Sequence, residues 1–154
     1  MKEMDENHSI NIIAIIHNEK NQILTIKKKL EPLKNYYLSL PGGIVSFKER
    51  IEDTLKREVY ENLCLIIEPL EILGVYSDFK DNNNEILISI VFICLIIDYI
   101  AEVKDKEKTE KVEKQWVDIN NIFKYEFILN HKVIVEDYLN WRNHNCTFWS
   151  SKLR

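Results

Sequence analysis

The stretch "GIVSFKERIEDTLKREVYENLCL", Gly43 to Leu65, decides how this chain folds. Its second half places apolar residues at helical spacing, so that one stripe is formed by Ile51, Leu55, Val59 and Leu63. At about 100° per residue these four positions cover a sector roughly 120° wide, as expected for a helix that packs one face on a core. We therefore predict a helix from about Arg50 to Leu63.

Three polar residues of this helix lie near one another on its surface: Glu58, Glu61 and Asn62. Residues three and four apart on a helix are neighbours, so these side chains leave one surface. Glu58 and Asn62 fall about 20° to either side of Ile51, at the margin of the buried stripe. A carboxylate in such a place needs a cationic partner, a metal ion or a proton. Ion pairing with Arg57 or Lys56 is one interpretation, and a site for Mg²⁺ is the other.

Two of the three glycines of the chain are adjacent, at Gly42 and Gly43, just before this helix. A chain so poor in glycine is expected to keep the residue where φ is positive or where backbone approaches another group closely. A tight turn before the helix is the alternative interpretation. The preceding "YLSLPGG" is expected to interrupt regular structure.

Length and composition indicate one globular domain spanning residues 1–154. Hydrophobic residues make up 45% of the chain and charged residues 30%, with a net charge of −4. This acidic balance argues against binding of a nucleic acid polymer, but it leaves a nucleotide ligand open. The most apolar run, Ile86 to Ile97, is too short to span a bilayer and is rich in β-branched residues, so we predict a buried strand.

The three cysteines, Cys64, Cys94 and Cys146, are far apart and form no C-x-x-C pair. We interpret them as reduced thiols of a cytoplasmic protein rather than as zinc ligands. The four histidines, His8, His17, His131 and His144, show no ligand spacing, and no role is assigned to them.

The remaining pattern predicts strands that alternate with two helices, which indicates an α/β or α+β layered fold. The predicted elements are a β-hairpin of Ile10–Ile16 and Gln22–Lys29, strands over Leu70–Tyr76 and from Ile86, a turn over 80–85, a charged loop over 102–114 with a short strand near its end, and a helix over Ile119–Trp141.

The opening stretch resembles the Nudix box, whose pattern is Gly, five residues, Glu, seven residues, then Arg-Glu-aliphatic-any-Glu-Glu-any-Gly-aliphatic. The residues that match at this spacing are Gly43, Glu49, Arg57, Glu58, Val59, Glu61 and Leu65. The box is preceded by the "LPGG" common in the family. The departures are Asn62 in place of the second Glu of the pair and Cys64 in place of the box glycine, with Ser46 and Lys48 where many members carry Glu and Gly.

This resemblance implies an α/β/α sandwich around a mixed β-sheet, with the box as a loop-helix-loop motif. It also implies a Mg²⁺-dependent hydrolase, with Mn²⁺ as a substitute, that cleaves the diphosphate bond of a nucleoside diphosphate linked to another moiety by metal-assisted water attack. The metal ligands it implies are Glu58, Glu61, Glu49, the amide of Asn62 and the carbonyl of Gly42. Arg57 would pair with Glu49 and orient it.

The departures leave a second hypothesis open, in which the chain is a nucleotide-binding module with weakened catalysis. An amide at Asn62 brings no charge to a metal, and Cys64 is expected to cost about 1 kcal/mol in a left-handed helix cap. The general base is also open between Glu58, Glu49 and the later Glu110 and Glu113.

The segment "GVYSDFKDNNNEILISIVF" is similar to the ADP-ribose pyrophosphatase branch, although Phe79 stands where that branch has proline. Stacking on a base or ribose by Tyr76 and Phe79, and a phosphate contact by Lys28 in the run Lys27–Lys29 and by the backbone of Gly43, are the substrate contacts we predict. Core packing is the alternative for the two aromatics, and solvent exposure is the alternative for the lysines. The aromatic tail, with Trp141, Phe148 and Trp149, is either a docked chain end or a homodimer contact.

Overall fold

The computed structural model of this protein describes residues 7–29, 35–80, 84–101, 112–128, 130–144 and 148–150. Its strands are β1 (Asn7–Ile16), β2 (Gln22–Lys29), β3 (Tyr36–Ser39), β4 (Gly42–Ile44), β5 (Leu65–Lys80), β6 (Glu85–Tyr99), β7 (Lys114–Asp118) and β8 (Phe148–Ser150). Its helices are α1 (Ile51–Leu63), a 3-10 helix (Ile119–Lys124) and α2 (His131–His144). Within the described residues, no helix is both long and apolar enough to cross a membrane.

The strands form two sheets. A five-stranded sheet has the order β4-β1-β6-β5-β8, and a three-stranded antiparallel sheet has the order β3-β2-β7. The larger sheet is mixed, because β1 runs parallel to β6 and β5 runs parallel to β8, whereas the other pairs are antiparallel. The predicted α/β class with a mixed sheet is confirmed.

Strand β1 lies at the centre of the fold and has a core on each of its faces. Ile12, Ala14 and Ile16 pack in one cluster with the apolar side of α1, whereas Ile13 and Ile15 pack in a second cluster with α2. The helices thus cover opposite faces of the larger sheet, as in an α/β/α sandwich.

The predicted hairpin is wrong in its pairing, although both of its strands are present. Strands β1 and β2 belong to different sheets. A β-bridge next to both strands joins His17 and Ile23. The physical reason is that β1 is apolar on both faces, so it is stabilised in the middle of a sheet with β6 and β4 as its neighbours.

Helix α1 confirms the prediction from the opening stretch. Leu55, Val59 and Leu63 are buried, and the helix ends at Cys64 with φ 55° and ψ 40°, in the left-handed region. The Cys64 N–H donates to the carbonyl of Tyr60 at 3.1 Å. The ammonium of Lys114, from β7, donates to the Leu63 carbonyl at 3.1 Å, so a distant lysine supplies the cation that the last helical turn lacks.

The predicted long helix over Ile119–Trp141 is wrong, because the structure divides it into the 3-10 helix and α2. The chain between them pairs with β3 instead: Leu38 N–H donates to the Glu126 carbonyl at 2.8 Å, and Ile128 N–H donates to the Leu38 carbonyl at 3.0 Å. Backbone engaged with a strand in this way cannot also form helical hydrogen bonds.

The other strands are longer than predicted. Strand β5 extends from Leu65 to Lys80 and tolerates Pro69 and Gly74 because its register with β6 shifts beside both residues. Within the tail, the described strand β8 pairs with Gly74–Tyr76 of β5. Residues 81–83 of the turn predicted over 80–85 lie outside the described residues, and so do residues 102–111 of the charged loop. The short strand predicted near the end of that loop is β7.

Candidate active site on helix α1

Gly42 and Gly43 form the start of β4, against the neighbouring strand and against α1. Neither glycine has a positive φ, so that part of the prediction is wrong, whereas the predicted close approach is confirmed. A Cβ on Gly42 would lie 2.0 Å from the Ile12 carbonyl oxygen, and a Cβ on Gly43 would lie 2.7 Å from Cδ of Glu58. The backbone of β4 and the carboxylate of Glu58 therefore come close together, because no side chain separates them.

The left-handed backbone near the box occurs at other residues. Lys48 has φ 82°, in the loop before α1, and Cys64 has φ 55° at the end of that helix. Cys64 replaces the glycine of the Nudix pattern, and Lys48 stands where many members of the family carry glycine. The backbone is left-handed at both positions although neither residue is a glycine. Each substitution costs about 1 kcal/mol.

Arg57 joins the acids of the loop and the helix. Its Nε and Nη2 donate to both oxygens of Glu49 at 3.0–3.2 Å, and its Nη1 donates to Glu58 at 3.2 Å and to Glu61 at 3.3 Å. The hydrogen bonds to Glu49, with the nearby negative charges, raise the pKa of Arg57. The predicted pairing of Arg57 with Glu49 is present, and the ion-pair interpretation of Glu58 and Glu61 holds in this arrangement as well.

Asn62 completes the environment of Glu58. Its Nδ2 donates to Oε2 of Glu58 at 2.9 Å, whereas Oε1 of Glu58 accepts from Arg57. Both oxygens of this partly buried carboxylate, 24% exposed, are thus engaged by donors from its own helix. A glutamate at position 62 would replace this hydrogen bond by a repulsion between like charges one helical turn apart.

The donor set suits a hard divalent cation, since it consists of carboxylate and amide oxygens beside a backbone strand. Among the residues that the structure describes, however, no three His, Cys, Asp or Glu side chains converge in a ready metal-binding group. The carboxylates point instead at the guanidinium of Arg57. The chemistry of the residues therefore fits a metal, although in this arrangement Glu58 and Glu61 contact Arg57.

Of the predicted substrate contacts, Gly43 lies beside the cluster, whereas the three predicted side-chain contacts do not. Tyr76 as a stacking residue is wrong: its side chain is 2% exposed and its hydroxyl donates to Asp137 at 2.7 Å, so it packs in the core. Phe79 is 70% exposed but lies at the end of β5, across β6 and β1 from the glycine strand. Lys28 is exposed on β2, opposite Tyr37.

Of the two candidate bases from the late loop, the structure describes Glu113. The carboxylate of Glu113 pairs with the ammonium of Lys27 at 3.4 Å, which also lies over the ring of Tyr36. Glu110 lies outside the described residues. Of the four candidates, Glu58 and Glu49 are the two that the structure places beside Arg57.

Two clefts flank the elements around the site. One, of ≈ 360 Å³, borders α1 and the start of β5 and is lined by Lys56, Arg57, Tyr60, Ile66 and Ile67. The other, of ≈ 700 Å³, lies between the β1–β2 turn, Trp116 and the end of β6. The larger cleft holds none of the clustered acids, so we assign the chemistry to the neighbourhood of α1 on the basis of its charged groups rather than its volume.

Sequence reasoning missed two buried polar residues of α2. His131 is 4% exposed and its Nδ1 accepts the Leu40 N–H at 2.9 Å, and Asp137 accepts from Tyr76. A polar residue at a core-facing helical position is the signal that was available for Asp137, but neither partner is visible in the sequence.

Comparisons with known proteins agree with this geometry. The sequence model of the NUDIX domain matches residues 7–138. An ADP-ribose pyrophosphatase of Methanocaldococcus jannaschii is 37% identical over 128 residues, which cover 83% of this chain and 72% of that protein.

Solved structures share the fold at lower identity. A NUDIX hydrolase from Nitrosomonas europaea superposes with a TM-score of 0.70 at 17% identity, covering 87% of this chain and 90% of that one. An ADP-ribose pyrophosphatase from Streptococcus suis gives a TM-score of 0.65 at 17% identity, covering 92% and 96%. With the domain match, the relative and the Arg57-centred box in agreement, this chain belongs to the NUDIX hydrolase family.

Proposed function

We propose that this protein hydrolyses the diphosphate bond of a nucleoside diphosphate linked to another moiety, with an ADP-ribose-like compound as the first candidate. The observation that supports it best is the joining of Glu49, Glu58 and Glu61 by Arg57 beside the Gly42–Gly43 strand. The name of the M. jannaschii relative supports the choice of substrate.

The residues of the chain have separable tasks in this proposal. Arg57 holds the loop carboxylate of Glu49 in a two-pronged contact and so fixes the loop on the helix. Gly43, which has no side chain, lets the backbone of β4 come close to Glu58. Asn62 fixes one oxygen of Glu58, which makes that carboxylate a positioned base or ligand.

The proposed metal ligands are Glu58, Glu61, Glu49, the side-chain oxygen of Asn62 and the Gly42 carbonyl. Members of this family generally use a divalent cation, and we propose Mg²⁺, with Mn²⁺ as a substitute. Such an ion supplies charge neutralisation of the diphosphate and acidification of the attacking water.

The test is Glu58→Gln, assayed with Mg²⁺ on a panel of nucleoside diphosphate derivatives that includes ADP-ribose. We expect kcat to fall by ~100-fold or more, because the amide removes the charge but keeps the size of the side chain. The matched control is Glu52→Gln, the same change at an exposed residue of the first turn of α1. Activity of Glu58→Gln equal to that of the control would remove Glu58 from the mechanism.

A second variant tests the position of the Glu58 carboxylate without changing its charge. In Gly43→Ala the new methyl group would meet Cγ and Cδ of Glu58, so the carboxylate is displaced without being neutralised. We expect a loss of kcat that approaches that of Glu58→Gln. Full activity in this variant contradicts the assigned contact between the strand and the acid.

The contact of Asn62 with Glu58 also favours a second candidate, a Nudix-fold module that binds a nucleotide with little turnover. Asn62→Glu distinguishes the two. A retuned enzyme shows a severalfold lower Mg²⁺ requirement at similar kcat, whereas a binding module gains activity from near zero. The measurement is initial rate against Mg²⁺ concentration for both proteins.

We further propose a cytoplasmic location and a small-molecule nucleotide as the partner, and we retain a homodimer as a hypothesis for sedimentation analysis. The two described cysteines support the location, since Cys64 and Cys94 are free thiols. Burial raises the pKa of Cys94 to about 12, so this thiol is protonated and unreactive.

A further inference from the structure

His131 begins α2 on the face of the sheet opposite α1, yet it is connected to the box. Its imidazole is almost completely buried, and Nδ1 accepts a hydrogen bond from the Leu40 N–H at 2.9 Å. The two residues are 91 positions apart in sequence. Burial and the nearby Lys28 lower the pKa of His131 to about 4, so at neutral pH the ring is uncharged and Nδ1 can accept.

Leu40 begins the short segment that contains Gly42 and Gly43. The next carbonyl, of Pro41, accepts from the Ala14 N–H at 2.8 Å, so β1 holds the segment from one side. Gly42 packs closely against β1, since a Cβ there would lie 2.0 Å from the Ile12 carbonyl oxygen. The N–H of Leu40 is held from the other side by His131.

The far end of this segment meets the acid of the site. A Cβ on Gly43 would lie 2.7 Å from Cγ and Cδ of Glu58, so the strand backbone is close to that carboxylate, and a shift of the strand along its own direction changes the space available to it. The same shift moves the Gly42 carbonyl. A chain of contacts therefore runs from α2 through Leu40 and Gly43 to Glu58 on α1.

We propose that His131 is a positioning residue, which sets the place of the Gly42–Gly43 strand against Glu58 through its hydrogen bond to Leu40. It touches neither substrate nor reacting atoms. The inference deepens the proposed function and rests on it for the kinetic part of the test, whereas the structural part is independent.

The experiment compares three variants with the wild type. His131→Phe keeps a buried ring but removes the acceptor, and His131→Asn keeps an acceptor oxygen near the position of Nδ1. Val135→Ala is the matched control, since Val135 is equally buried on α2 and is not bonded to Leu40. Amide hydrogen exchange over residues 40–44, the carboxyl ¹³C resonance of Glu58, kcat and KM are measured for each protein.

In His131→Phe we expect exchange at Leu40 and along β4 to accelerate by about tenfold, because a buried N–H has lost its acceptor. The Glu58 resonance shifts, and kcat falls more than KM rises. His131→Asn recovers most of each effect, and Val135→Ala shows none of them selectively.

The proposal is overturned if His131→Phe changes exchange over residues 40–44 no more than Val135→Ala does. It is also overturned if the Glu58 resonance stays in place, or if His131→Asn behaves like His131→Phe. If the wild type hydrolyses none of the diphosphates of the panel, the proposed function is refuted. The exchange and ¹³C data then still decide the role of His131.

Discussion

The polar residues of α1 and of α2 find their partners at very different distances along the chain. On α1, Arg57 reaches Glu49 eight residues away and Glu61 four residues away. On α2, Asp137 accepts from a tyrosine 61 residues away, and His131 accepts from a backbone N–H 91 residues away. The first group is half-exposed, whereas the second is buried.

Because of this difference, we expect the charges of α1 to affect mainly ligand binding and the buried polar groups of α2 to affect mainly stability. The charges of α1 stay in contact with solvent, where their mutual attraction is screened and adds little to folding, so they remain able to exchange partners with a ligand. The buried polar groups of α2 have no water to replace a lost partner, so breaking either bond is costly. The predictions below test this contrast between α2 and α1.

The largest expected effect concerns pH and His131. Its pKa is about 4 in the folded protein and ordinarily 6.5, so the unfolded chain binds more protons between these values. The free energy of unfolding should therefore rise as the pH increases from about 4 to 6.5, by on the order of 3 kcal/mol in total. Above that range it should stay at the higher value.

Urea unfolding at several pH values measures this slope, and His131→Asn provides the reference, since it removes this titration and leaves the other groups unchanged. The difference between the two proteins should be confined to the window from about pH 4 to 6.5. Parallel slopes would show that His131 titrates normally in the folded protein.

A smaller effect is expected from Tyr76→Phe, which removes the hydroxyl that donates to Asp137 in the core. The free energy of unfolding should fall by about 2 kcal/mol, because the buried carboxylate loses a donor. Tyr36→Phe is the control, since that ring is exposed. Kinetic constants of the folded Tyr76→Phe protein should be unchanged, and a selective rise in KM would restore Tyr76 as a substrate contact.

The smallest effect on stability is expected from Arg57→Gln, although it removes contacts to three carboxylates. The free energy of unfolding should fall by under ~1 kcal/mol at low salt, and the difference should shrink as NaCl is added. Lys56→Gln, which breaks one exposed pair with Glu68, serves as the control. A salt-independent loss of several kcal/mol would contradict the view of α1 as a weakly coupled charged surface.

Much of the candidate site was predictable from sequence, since its parts lie within one helix and the loop before it. Helical spacing placed Glu58 and Asn62 at the edge of the apolar stripe, and the box pattern paired Arg57 with Glu49. The part that spacing missed is the direction of the Asn62 amide, which donates to Glu58.

The errors have a common physical origin. The pairing of β1 with β6 rather than with β2 follows from a strand that is apolar on both faces. The interruption of the second helix follows from hydrogen bonds to Leu38, and the burial of Tyr76 from its bond to Asp137. Each of these partners is far away in sequence. The apolar character of β1 is visible locally, but the identity of its neighbour β6 is not.

The residue pattern by itself predicted helix α1, its apolar face and most strands along the chain, because helical and strand periodicities relate residues a few positions apart. The resemblance to the Nudix box supplied the left-handed end at Cys64 and the pairing of Arg57 with Glu49. The tertiary structure alone decided which strands became neighbours, that Gly43 touches Glu58 and that His131 holds Leu40. The bond between His131 and Leu40 forms because buried polar groups must satisfy one another where water is absent. Gly43 approaches Glu58 because β4 and α1 pack together with no side chain between them.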